Sequence, residues 1–90
     1  MAKAIIDPEE VRAFASELKN FNEELQGRMM SLFMRYKSLS ETWHDQEQAR
    51  FAEEFEQALK NLKKFIEASN QQAPLLLRKA QKIDEYLNQR

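Results

Sequence analysis

Cysteine is absent, glycine occurs once and proline twice, and there is a single tryptophan and a single histidine among 90 residues. Without cysteine there are no disulfides and no thiolate metal centres, and the redox compartment is left open. With so little glycine and proline the chain is poor in tight turns, which argues for helices over hairpin-rich sheets. Charge of one sign is also lacking: the formal net charge is −1. That excludes the electrostatic footprint of a nucleic-acid binder and a basic stripe for a membrane surface. No apolar run approaches the roughly 20 residues that span a bilayer. The opening MAKAIIDPEE turns to charge too soon for a cleavable signal peptide. The expectation is one soluble domain made in the cytoplasm, exported, if at all, without a cleavable leader.

What is present is helix former. Charged residues make up 32% and hydrophobic ones 42%. Asp7-Pro8-Glu9-Glu10 reads as a helix start: Asp accepts at the N-cap, Pro is tolerated at the first position, and two carboxylates sit on the positive end of the dipole. Apolar residues then recur in steps of three and four at Val11, Phe14, Leu18, Phe21, Leu25, Met29, Leu32, Tyr36, Leu39 and Trp43. A second series runs Phe51, Phe55, Ala58, Leu62, Phe65, Ser69, Ala73, Leu76, Ala80, Ile83 and Leu87. Between the two, Asp45 suits an N-cap with Gln48 as its capping-box partner, and Thr42 is the competing cap. The spacing therefore predicts a single all-α helical-hairpin domain over 1–90, with helix 1 over 8–40, a turn over 41–45 and helix 2 over 46–88. The second series keeps its phase across Pro74, so a kink or short interruption near 70–74 is expected there. A turn centred near residue 44 makes facing residues sum to about 88. Leu32 is then set against Phe55, Leu25 against Leu62 and Val11 against Leu76, so nearly every large apolar residue is expected to meet another.

Two helices touch along one seam only, and a lone hairpin of this size is at best marginal. Met30, Phe33 and Met34 widen the apolar stripe of helix 1, and Leu59 and Ile66 lie opposite. Exposed patches of that kind mark interfaces. The expected assembly is a dimer of hairpins forming a four-helix bundle. Its interface is read as Met29, Met30, Phe33, Met34, Tyr36, Phe55, Leu59, Leu62 and Ile66. The competing fold is a monomer whose second helix turns back at Pro74 into a three-helix bundle.

The segment IIDPEEVRAFASEL, the Leu39-to-Trp43 spacing, Trp43 at the turn and Phe51 eight residues later together resemble the WXG (ESAT-like) superfamily of small helical-hairpin proteins. The pattern differs in two places. Asp45 stands where that superfamily has the glycine of Trp-x-Gly, giving Trp-His-Asp. Tyr86 is followed four residues on by Arg90 instead of the acidic residue of the export signal. The resemblance implies a non-enzymatic protein of a type VII (ESX-like) secretion system, pairing with itself or with a related WXG-like chain. It further implies export as a folded pair through an FtsK/SpoIIIE-like ATPase, or service as a carrier for a larger toxin. Trp43, His44 and Asp45 become the turn motif that secretion recognises; the other reading of Trp43 is an indole that closes the seam and holds the turn.

Other residues carry less. His44 has no second ligand at metal-binding spacing and no acid–base partner. Gly27, in mid-helix, either lets helices approach closely or is incidental. The basic residues Lys60, Lys63, Lys64, Arg78, Lys79 and Lys82 are interleaved with acids and read as a solvated face. The adjacent pairs Glu9/Glu10, Glu23/Glu24 and Glu53/Glu54 diverge on a helix and do not converge on a substrate. No nucleophile–base set, phosphate loop or metal spacing is present, so no cofactor is expected. The alternative function, from a different class, is an intracellular structural or chaperone hairpin such as a type III needle-like subunit.

Overall fold

A computed structural model describes residues 6–88. Among them the chain forms two helices, α1 (Pro8–Ser40) and α2 (Gln46–Leu87), which fold back on each other as an antiparallel hairpin. Asp7 Oδ1 accepts from the Glu9 N–H at 2.9 Å with Pro8 behind it, and Asp45 Oδ1 accepts from the Gln48 N–H at 2.9 Å. Each cap satisfies one of the four N–H groups that a helix start leaves open. Thr42 caps nothing at a helix start; its hydroxyl donates to the Leu39 carbonyl that ends α1.

The hairpin measures 69 × 25 × 16 Å, so its short dimension is little more than one helix with its side chains. A body one layer thick has no interior for large residues. Among the described residues, the fully buried positions are Pro8, Ala15, Asn22, Ile66, Ser69 and Ala80. The seam is therefore made of small and polar side chains over much of its length, and the large apolar residues sit at its edges or outside it. This departs from the expectation that nearly every large apolar residue meets another. On α2 the seam positions Phe55, Leu59, Leu62, Ile66, Ser69, Ala73, Leu76, Ala80 and Ile83 alternate steps of four and three. That is a seven-residue repeat, the spacing of a coiled-coil seam.

Polar contacts set the register. Asn22 is 2% exposed and its Nδ2 donates to Ser69 Oγ at 2.7 Å and to Asn70 Oδ1 at 3.0 Å. Toward the open end, Arg12 pairs with Asp84 and, at 2.9 Å, with Glu9. The Arg12 guanidinium is held above its ordinary pKa, chiefly by the hydrogen bond to Asp84. A raised pKa means that the contribution is complete everywhere below the ordinary arginine value, so this pair makes no switch near neutral pH. Facing pairs sum to 87 at Tyr36–Phe51, 91 at Asn22–Ser69 and 96 at Arg12–Asp84, where a constant 88 was expected. Side chains lean toward the N-terminus of their own helix, so antiparallel partners that touch lie further apart in number than their backbones do. Long side chains such as Arg12 exaggerate the offset.

Helix α2 runs unbroken through Pro74, which excludes the fold-back into a three-helix bundle and, of the kink or short interruption expected near 70–74, the interruption. Pro74 is exposed, so its ring does not disturb the seam, although it cannot donate to the Asn70 carbonyl. Gly27 lies within α1, and a Cβ built there meets nothing within 4 Å. No close approach inside the hairpin requires it. Gly27→Ala is expected to stabilise the protein by about 1 kcal/mol, read as a higher melting temperature at fixed concentration. A loss of stability would mean that another chain approaches at this point.

Candidate protein–protein interface

The turn end is held by aromatic rings. Tyr36 lies 5.0 Å from Phe55 and 5.7 Å from Phe51, Phe51 stacks on Phe55 at 5.4 Å, and Trp43 reaches Phe51 at 6.0 Å. Gln48 Nε2 donates to the Tyr36 hydroxyl at 2.9 Å and ties the start of α2 to the end of α1. Within the turn the Leu39 carbonyl accepts the backbone N–H groups of Thr42 and Trp43, each at 3.1 Å. The indole of Trp43 is half-buried, with Phe51 beside it. His44 Nε2 donates to the Glu41 carbonyl at 2.8 Å, the only sense open to a carbonyl partner. Asp45 is the N-cap of α2.

Either side of the seam is a long face, and the two faces differ. On one, Met29, Met30, Phe33, Leu59 and Ile66 line a groove rimmed by Gln26, Lys63, Glu67 and Asn70. Lys37 Nζ lies 5.8 Å from the centre of the Phe33 ring. On the other, Leu32, Tyr36, Leu39, Phe51 and Phe55 line a groove with Arg35 at its rim. At 100° per residue, Phe14, Phe21, Leu25, Leu32 and Leu39 fall within about 20° of one line along α1. On α2, Leu62 and Phe65 are also exposed, at 37% and 48%. Phe14, Phe21, Leu32 and Leu39 are 49–58% exposed. This Phe/Leu face runs most of the length of α1, while the methionine groove is short.

The nine residues expected at one interface are thus divided. Met29, Met30, Phe33, Leu59 and Ile66 share the methionine groove, Tyr36 and Phe55 border the opposite one, and Leu62 is a seam position that lines neither. Met34 lines neither groove and is exposed on the outer side of α1. The stripe from Phe14 to Leu39 was visible as periodicity but assigned to the seam. A spacing of seven and eleven residues, in place of mixed threes and fours, is the signal that sets it apart. The Asn22–Ser69–Asn70 network and the Arg12–Asp84 pair had no such signal, since polar residues at helical spacing ordinarily face water.

Residues 4–86 match the family model described as "Proteins of 100 residues with WXG". The chain belongs to the WXG100 family. Its hairpin is similar to the crystal structure of a secreted protein, EsxB, from Bacillus anthracis strain Sterne. The two are 31% identical with a TM-score of 0.74, over 98% of this chain and 100% of that one. Two single-substitution variants of EsxB match at 30% identity, with TM-scores of 0.74 and 0.72, over 98% and 94% of this chain and 98% of each of theirs. No curated protein matches in sequence. WXG100 membership together with a full-length match to a secreted hairpin supports a small protein associated with type VII secretion. Of the two departures in the motif, Asp45 retains a function in the fold because carboxylate and glycine are both accepted at an N-cap, and the carboxylate caps better. Tyr86 is exposed near the end of α2, and Arg90 lies outside the described residues. Among the described residues no group of histidine, cysteine and carboxylates is placed to hold a metal ion, and no helix is long and apolar enough to cross a membrane.

Proposed function

We propose that this WXG100 protein is a non-enzymatic adaptor or effector of a type VII (ESX-like) secretion system, acting and travelling as a dimeric four-helix bundle. The observation that carries the reading is the Phe/Leu face: a hairpin one layer thick that leaves rows of phenylalanine and leucine in water is built to be covered. The likeness over its whole length to a secreted hairpin supplies the context. The partner across that face is a second copy or a related WXG-like chain. A secretion ATPase of the FtsK/SpoIIIE type, or a larger toxin, is the partner the turn would serve, through Trp43, His44 and Asp45. On this reading His44 is a structural donor to the Glu41 carbonyl and takes no part in chemistry.

The test separates recognition from folding. Trp43→Phe keeps a ring against Phe51, whereas Trp43→Ala removes it. Trp43→Ala is expected to lower stability by about 1–3 kcal/mol through lost packing. Trp43→Phe is expected to melt close to wild type yet to disappear from the culture medium of a host carrying the cognate system. Wild-type protein that stays in the cells would refute export; normal export of Trp43→Phe would confine the indole to packing.

A further inference from the structure

We infer that the methionine groove seats one amphipathic helix of a different protein, held by a glutamine or asparagine side chain that hydrogen-bonds at Asn22 and Asn70. The inference rests on the dimer proposed above only where it denies this groove to a second copy. Its first support is an open acceptor. The Ser69 hydroxyl donates to the Phe65 and Ile66 carbonyls, at 2.8 and 3.2 Å. Its oxygen therefore accepts from Asn22 Nδ2, which fixes the amide and leaves Oδ1 as the free end. Asn22 Oδ1 is buried and has no hydrogen-bond partner. Buried acceptors without donors are rare, because the water they lose is not replaced.

A second acceptor lies beside it. Pro74 has no N–H, so the Asn70 carbonyl lacks the donor that a helix supplies four residues on. Asn22, Asn70 and Pro74 line one notch. Lys19 and Gln26 line it too and carry donors, yet neither bonds to Asn22 Oδ1. A carboxamide answers both acceptors with one NH2 group and keeps its own oxygen for Lys19 or Gln26. A cation would be desolvated over a site without net charge, since the rim sets Lys19 against Glu23 and Lys63 against Glu67.

The notch opens into the methionine groove, because Gln26 and Asn70 line both. Together they run along α1 from Lys19 to Phe33, about 21 Å or four turns of a third helix. Met30 is 66% exposed and Phe33 38%. A methionine-lined groove between two helices is a seat for the apolar side of another. Met29 lies seven residues beyond Asn22, and Phe33 eleven. The visiting helix therefore needs large apolar residues about seven and eleven positions from its carboxamide. A second copy is a poor occupant. This groove and the Phe/Leu face lie on opposite sides of the seam, and a chain pairing with itself through both would extend beyond a dimer.

The experiment selects the occupant without fixing its sequence. A display library of helical peptides, each about five turns long and randomised on one face, is panned on full-length wild-type protein. Binders of Met30→Glu/Phe33→Glu are removed. The enriched peptides are expected to share a Gln or Asn with large apolar residues about seven and eleven positions away. Exchanging that residue for Leu is expected to weaken binding about tenfold on wild type and less than about twofold on Asn22→Leu. Pro74→Ala returns an N–H to the Asn70 carbonyl and is expected to reduce the same preference, which keeps the test if Asn22→Leu does not fold. Failure to enrich any peptide, or enrichment of peptides with no carboxamide, would overturn the inference. So would a carboxamide preference unchanged in both variants, or a peptide that splits the wild-type dimer. The mass of wild type without peptide reads the dimer separately: a monomer that still shows the carboxamide preference would remove the dimer and leave this site standing.

Discussion

Replacing Phe21 and Leu32 together by glutamate is expected to turn a stable dimer into a largely unfolded monomer. Both residues are about half exposed in the hairpin, so neither change disturbs the seam of one chain. Their effect falls on association. Each loses about 1.5–3 kcal/mol of burial, or about 3–6 kcal/mol per protomer, before any cost of a carboxylate at an apolar interface. Small domains have about 5–15 kcal/mol of stability in all. The seam that remains in a separated hairpin buries only Ala15, Ile66 and Ala80 as its hydrophobic core among the described residues, which does not hold two long helices in place. Mass and helical circular dichroism should therefore fall together, and the melting temperature of the wild type should rise with protein concentration. The matched control is Met30→Glu/Phe33→Glu in the opposite groove, expected to leave the dimer mass unchanged. If the control dissociates the dimer and the Phe21/Leu32 variant does not, the interface lies on the methionine side, as the widened apolar stripe of the sequence suggested.

Pro74→Ala is the second large effect, and its sign is opposite. Pro74 sits inside an unbroken 42-residue helix, exposed at the edge of a groove that it lines with Asn22 and Asn70. It withholds an N–H from the Asn70 carbonyl and crowds it. Proline in a helix interior is about 3 kcal/mol less favourable than alanine, so the substitution is expected to stabilise the protein by up to that amount. At about 4–8 °C per kcal/mol for a domain of this size, a rise of 10 °C or more at fixed concentration is the expected reading. Asn70 Oδ1 also accepts from Asn22 Nδ2, four residues before Pro74, so the substitution acts beside that contact. An unchanged or lower melting temperature would show that Pro74 is what keeps Asn22 and Asn70 in reach.

Much of the fold was legible in order of residues alone. Asp7-Pro8 and Asp45 announce helix starts because a short carboxylate side chain can reach back to the N–H groups that a helix leaves open, an interaction local to a few residues. A single glycine, no cysteine and two long runs of threes and fours were enough for an all-α hairpin. Trp43, Leu39 and Phe51 at their spacings were enough for the family. The continuation of α2 through Pro74 was legible because the apolar series keeps its phase there, and the short interruption allowed near 70–74 is not present.

What only the tertiary structure decided is which apolar residues are inside. Periodicity says that Phe14, Leu18, Phe21 and Leu25 share one side of a helix; it cannot say where along that side the neighbouring helix lies, because a stripe wider than one contact line admits several. In the hairpin the contact line runs through Ala15, Asn22 and Met29, with small and polar residues that bring the helices together and fix their register. The phenylalanines and leucines are left beside it, on a body too thin to enclose them. Local sequence determined two capped helices and a turn. The packing of one on the other determined that the largest hydrophobic surface of this protein faces outward.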